Sequence, residues 1–148
     1  MNASRFSRII GKCPRKLICD LVHPIMGKYE MQVLRNPATT LVMVQMRETV
    51  TGARFYLGEL LASEAMVQLA GSKGFALLVG DDLDRTLCAA ALDALRRSSL
   101  PEWVSSLWME ELFSTLSEAE QQIEEAAQQE MRRHAASRVQ FNTLDADK

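Results

Sequence analysis

The segment Leu41 to Arg47 constrains the fold most. It is rich in valine, and Val42, Val44 and Met46 fall on one side of an extended chain, which suits a strand far better than a helix. Thr49 to Gly52 reads as a hairpin connection, and Arg54 to Leu57 resumes as strand. Upstream, Tyr29, Met31 and Val33 alternate with Glu30 and Gln32, so residues 29–35 also read as strand, and Asn36-Pro37 reads as the turn that ends it. Phe75 to Val79 has a short buried-strand pattern behind the turn residues Gly71-Ser72-Lys73-Gly74. The stretch Glu59 to Leu69 stays open. Its Glu, Leu, Ala and Met favour helix with Gly71 as the stop, whereas read as strand it places Ser63, Ala65, Val67 and Leu69 on one face.

Helical patterns flank this centre. Phe6, Ile9, Ile10, Leu17, Ile18 and Leu21 form one apolar side over residues 4–22, broken or restarted at Pro14 and ended by Pro24 and Gly27. Asp81 or Asp82 caps a helix running to about Arg97, with Leu83, Leu87, Ala91 and Leu95 on one stripe and Arg96 and Arg97 at its C-terminal dipole. Pro101 opens the next helix, whose stripe is Val104, Trp108, Leu112 and Leu116. Ser117-Glu118-Ala119-Glu120 forms a capping box that predicts a break near 117, and Ile123, Ala127 and Met131 carry the apolar side on to about Ala136. The predicted fold is α+β: an N-terminal helix, a mostly antiparallel sheet of about four strands, then two or three helices. At 148 residues, the chain is expected to form a single domain over 1–148.

Composition narrows the function classes. Lys and Arg number 17 against 19 acidic residues, which argues against a nucleic-acid binder that works through bulk charge. The longest aliphatic and aromatic run, Phe75 to Val79, is far short of the roughly 20 residues a membrane span needs. Cys13, Cys19 and Cys88 are an odd count without a C-x-x-C pair, so a disulfide framework or zinc knuckle is not expected. No apolar core follows the basic start, which argues against a secretory signal; a reduced, cytoplasmic protein is the expectation. Charge is uneven: Arg5, Arg8, Lys12, Arg15, Lys16 and Lys28 face Asp20 alone over residues 1–28, whereas residues 101–130 hold glutamates and neither Lys nor Arg. The two ends either attract each other, form solvated helix faces, or meet different partners.

Catalytic patterns are weak. Gly71 to Gly74 lacks phosphate-loop spacing and reads as a hairpin turn. Asp81, Asp82 and Asp84 suit a hard cation, but a helix N-terminus wants the same residues as caps. Cys88, beside Leu87 and alanines, reads as a small core residue. His134 complements a helix C-terminus. Trp103, Leu107 and Trp108 suit core and interface equally.

Several blocks, taken in order, resemble a known family. Tyr29 to Arg47 (YEMQVLRNPATTLVMVQMR) resembles the first half of PhnG, a subunit of the carbon–phosphorus lyase system. Thr51-Gly52-Ala53-Arg54-Phe55-Tyr56-Leu57-Gly58-Glu59 is similar to that family's T-G-x-x-F-x-x-G-[DE], and Glu64 to Leu69 to its A-A-V-R-L ending. Gly80 and Asp82 match the glycine and aspartate of L-G-R-D, and Ala91-Leu92-Asp93-Ala94-Leu95 ends the following helix as in the family. Ala136 to Leu144 resembles A-[ST]-[RK]-V-D-F-F-T-M. The family carries basic residues where Glu64, Gln68 and Asp81 stand, and a V-R-G where Asp145-Ala146-Asp147 stands.

The resemblance implies an accessory subunit of the carbon–phosphorus lyase core complex in phosphonate catabolism. It would work with PhnH-, PhnI- and PhnJ-like chains, and with a PhnL-like protein, where methylphosphonate displaces adenine from ATP to give α-D-ribose 1-methylphosphonate 5-triphosphate. The complex would be a transferase whose isolated PhnG-like chain is not catalytic. ATP is then a substrate of the complex, while an iron–sulfur cluster and S-adenosylmethionine belong to the PhnJ-like partner and no cofactor to this chain. Arg54, Phe55, Arg138, Val139 and Phe141 are the residues expected to meet partners. The implied sheet also tips residues 59–69 towards strand. The alternative is a stand-alone dimeric ligand-binding or protein-interaction domain.

Overall fold

The computed structural model describes residues 3–99 and 102–136, with side chains in the last helix from 110 to 135. Two short helices open the chain. Helix α1 (Ala3–Lys12) buries Phe6, Ile9 and Ile10, spaced as one helical face. It stops at Pro14, whose φ of −66° and ψ of 150° leave the helix and start α2 (Arg15–Met26). Pro24 lies inside α2 rather than ending it. Pro24 sits in the last turn, beside exposed Asp20, so losing one N–H there costs little. The guanidinium of Arg85 donates to the carbonyls of Ile10 and Gly11 at 3.2 and 2.7 Å, satisfying groups that the end of α1 would otherwise leave open.

The sheet is a three-stranded antiparallel meander in the order β1-β2-β3: β1 (Met31–Arg47), β2 (Arg54–Leu69) and β3 (Ser72–Val79). It has three strands where about four were expected, because residues 29–35 and 41–47 are not separate. Asn36-Pro37 is a bulge within one 17-residue strand, between the pairs Arg35/Met66 and Ala38/Glu64. Proline is tolerated there because β1 is an outer strand, whose outward groups need no partner. Residues 59–69, helical by propensity, are strand, as the family resemblance implied. They pair with β1 on one side and, from Ala62 onward, with β3 on the other. Ser63, Ala65, Val67 and Leu69 are buried on a shared face, so packing overrides local preference. Ala70 and Gly71, at φ 49° and 76°, make the tight turn into β3.

Helix α3 (Leu83–Arg97) covers that face and is buried from Thr86 to Leu95 except at half-buried Leu87. Small residues let it lie close. A Cβ on Gly74 would stand 2.1 Å from the carbonyl oxygen of Ala90 and 2.3 Å from the nitrogen of Ala94. Its cap is Asp82, which accepts the N–H of Arg85 at 3.0 Å. At the same end, Ser63 and Thr86 share a buried hydroxyl hydrogen bond of 2.6 Å.

Helix α4 (Glu102–Ala136) runs unbroken for 35 residues. The expected break at 117 is absent because Glu120, the reaching residue of the capping box, is used elsewhere. Its carboxylate accepts from Arg5 Nε at 2.9 Å and Arg8 Nη2 at 2.6 Å on α1. The basic N-terminus and the acidic helix therefore meet directly. Leu112, Leu116 and Ala119 join the core, whereas residues 124–135 are exposed on every side.

Candidate functional site

The layer of helices ends before the sheet does. The Ser63–Thr86 hydrogen bond marks the first turn of α3, and the bond from the Gly80 N–H to the Leu61 carbonyl is the last link on the β3 side. Beyond it, residues 41–47 and 54–61 continue as a two-stranded ribbon. A β rise of about 3.3 Å per residue carries it roughly 25 Å past that point. Its turn is closed by the Glu48 N–H to Ala53 carbonyl bond of 2.9 Å and by a hydroxyl contact of Thr51 with the Glu48 carboxylate. Gly52, at φ 71°, allows the reversal.

The ribbon is apolar on both faces. Pairing puts Leu41 opposite Leu61 and Gln45 opposite Tyr56 on one face, and Val42 opposite Leu60 and Met46 opposite Phe55 on the other. A bulge at Leu57, beside Gly58, changes the register between them. Leu41, Met43, Met46, Phe55, Tyr56, Leu57, Leu60 and Leu61 range from 39% to 66% exposed. Arg47 stands directly opposite Arg54 at the tip, and no ion pair among the described residues involves either.

Clefts also lie away from the ribbon, two of them lined by α3. One, of about 290 Å³, sits between α1, β3 and α3 around buried Asp93. Asp93 accepts the Phe75 N–H at 3.3 Å and pairs with Arg96 and Arg97 at 3.0 Å each, while Arg96 also lies 5.2 Å over the Phe6 ring. These contacts tie α3 to β3 and α1. The second cleft, about 650 Å³, lies between α2 and α3 and is lined by Arg15, Lys16, Cys19, His23 and Cys88. Burial, and then a hydrogen bond with Cys19, pushes the Cys88 thiol up to about 12. Burial also raises Cys13. Thiols held protonated in this way are poor nucleophiles at neutral pH. Among the described residues, no group of three His, Cys, Asp or Glu is placed to hold a metal ion.

The residues singled out by sequence fall as follows. Arg54 and Phe55 lie together on the ribbon tip. Arg138, Val139 and Phe141 lie outside the described residues, as do the side chains of Trp103, Leu107 and Trp108. Asp82 caps α3, and Asp84 pairs with Arg15 at 2.7 Å. Gly71 to Gly74 forms the hairpin turn and the start of β3, and Cys88 is in the core. Glu64, basic in the family, pairs with Arg35 at 2.9 Å, while Gln68 is half-buried on β2 and Asp81 is exposed before α3. His134 sits within 3.9 Å of Glu130 on exposed α4. The bare ribbon and the Cys19–Cys88 contact were missed. Leu41 to Val44 is apolar at both alternating positions, which marks a strand whose two faces both need cover.

Helices on one face of a meander, a projecting apolar ribbon and clefts in which Asp93 pairs with Arg96 and Arg97, and Arg15 with Asp84, define an α+β protein. No helix among the described residues is long and apolar enough to cross a membrane. The chain belongs to the PhnG family: the model of that family, described as phosphonate metabolism protein PhnG, matches residues 3–145. It is thus a phosphonate metabolism protein. No curated protein matches it.

Proposed function

We propose that this chain, as a single PhnG-like domain, is an accessory subunit of the carbon–phosphorus lyase core complex. In this reading it takes part in forming α-D-ribose 1-methylphosphonate 5-triphosphate from ATP and methylphosphonate in the cytoplasm. Its partners are PhnH-, PhnI- and PhnJ-like chains, with a PhnL-like protein in the adenine-displacing step. The iron–sulfur cluster and S-adenosylmethionine belong to the PhnJ-like subunit. The family match over residues 3–145 carries the reading. It is supported by the charge pairing in both clefts, where Asp93, Arg96 and Arg97, and Arg15 and Asp84, engage one another. That arrangement holds helices together and presents no activated nucleophile.

The test measures adenine release from ATP and methylphosphonate by chromatography. The chain alone releases none. A mixture of PhnH-, PhnI- and PhnL-like chains releases adenine only when this chain is added. Release by the lone chain overturns the accessory role, and undiminished release without it overturns its participation.

A further inference from the structure

Among the described residues, the ribbon of residues 41–47 and 54–61 has no cover on any side. Among the described residues, no strand pairs with the edge of β2 beyond Leu61, and β1 is an outer strand along its whole length. Among the described residues neither face is covered: α3 reaches the face of Leu61 and Ser63 only from the level of Ser63, and the opposite face is bare beside β3 as well, where Phe75, Leu77 and Val79 are exposed. Two strands alone in water are marginal, and bare strand edges invite pairing.

The geometry also says what kind of occupant fits. Two ribbons stacked face to face across a two-fold axis would cover one face of each and leave the other bare. Covering Leu41, Tyr56 and Leu61 together with Met46, Phe55 and Leu60 takes a cleft that encloses the ribbon. At the tip, Arg47 and Arg54 are directly opposed cations, an unfavourable pair unless a carboxylate joins them.

We propose that residues 41–47 and 54–61 form an arm that inserts into a cleft of a different protein chain. That cleft is walled by apolar side chains and carries carboxylates against Arg47 and Arg54. The proposal rests on the subunit reading above and names the surface through which it is realised.

The test is co-expression with tagged PhnH-, PhnI- and PhnJ-like chains of the same organism. The untagged chain is compared with three double variants: Met43→Glu with Tyr56→Glu, Met46→Glu with Phe55→Glu, and Arg47→Glu with Arg54→Glu. The first two each alter one face, and each is expected to lower retention at least tenfold. The third keeps the tip polar and lowers retention several-fold. Thermal melts of the isolated variants stay within about 2 °C of the parent, because none of these side chains is in the core.

If the parent chain is not retained, the subunit reading fails and the arm with it. If the parent is retained and the variants equally so, the arm proposal fails and the subunit reading stands. Loss on one face only rules out enclosure. Sedimentation equilibrium of the chain alone gives a monomer; a dimer broken by the same substitutions makes the occupant a second copy and overturns the proposal.

Discussion

Two parts of one sheet are built from similar residues and meet opposite environments. In β2, Ala65, Val67 and Leu69 are fully buried, while Leu61, on the same face of the same strand, is 45% exposed. Nothing in residue type separates them. The difference is the helix above: α3 spans the sheet from Ser63 to Ser72, whose hydroxyl reaches the Arg97 carbonyl at 3.3 Å, and stops there. Helix α4 repeats the contrast along its own length, packed at Leu112, Leu116 and Ala119 and bare beyond Ile123. Apolar content thus measures how much surface wants cover, and the tertiary arrangement decides which part obtains it within the chain.

The contrast is broken most severely by Gly74→Ala. The new Cβ would collide with the backbone of Ala90 and Ala94, which cannot give way as a flexible side chain would. The expected loss is about 3 kcal/mol, or roughly 10 °C in melting temperature. A midpoint within about 2 °C of the parent would show that the helix does not lie where described.

A paired truncation sharpens it. Leu92→Ala removes a fully buried side chain of α3 and should lower stability by about 3 kcal/mol in urea unfolding. Leu57→Ala, on the ribbon, should change it by less than about 0.5 kcal/mol. Equal losses would mean that the ribbon packs against its own core.

The smallest effect concerns the boundary on α4. Hydrogen bonding from Arg5, and then from Arg8, holds the Glu120 carboxyl below its ordinary value. A depressed carboxyl stabilises the folded state above the ordinary carboxylate range, and that contribution is lost as pH falls through the lowered value. Amide protection in α1, taken relative to the intrinsic exchange rate at each pH, should therefore fall on acidification below about pH 4 and should lose this pH dependence in Glu120→Gln. An unchanged profile in the variant would assign the acid response elsewhere.

Much of the path of the chain is legible in short stretches. Pro14 separates two helices, Asp82 caps α3, Thr49 to Gly52 reverses the chain, and Gly71 closes the second hairpin. Each acts within a turn or two of itself. Of the expected contact residues, Arg54 and Phe55 stand on the ribbon through the blocks shared with the family, while the apolar residues around them went unread. Leu41, Met43 and Leu57 look like core in the sequence, because nothing local tells a strand how far its covering helix extends.

By itself, then, the sequence determined the class of the fold, the break at Pro14, the cap of α3, its hairpins and the family to which it belongs, since these rest on backbone preferences, caps and ordered motif blocks. The tertiary structure decided the rest. Asn36-Pro37 is a bulge because β1 lies at the edge of the sheet, residues 59–69 are strand because they have pairing partners and lie partly beneath α3, and α4 runs through 117 because Arg5 and Arg8 engage Glu120. The ribbon face that continues from Ser63 is bare because α3 reaches no farther than the level of Ser63. In each case the deciding partner is distant in the chain, and local preferences of a fraction of a kcal/mol per residue yield to burial and pairing summed over the whole element.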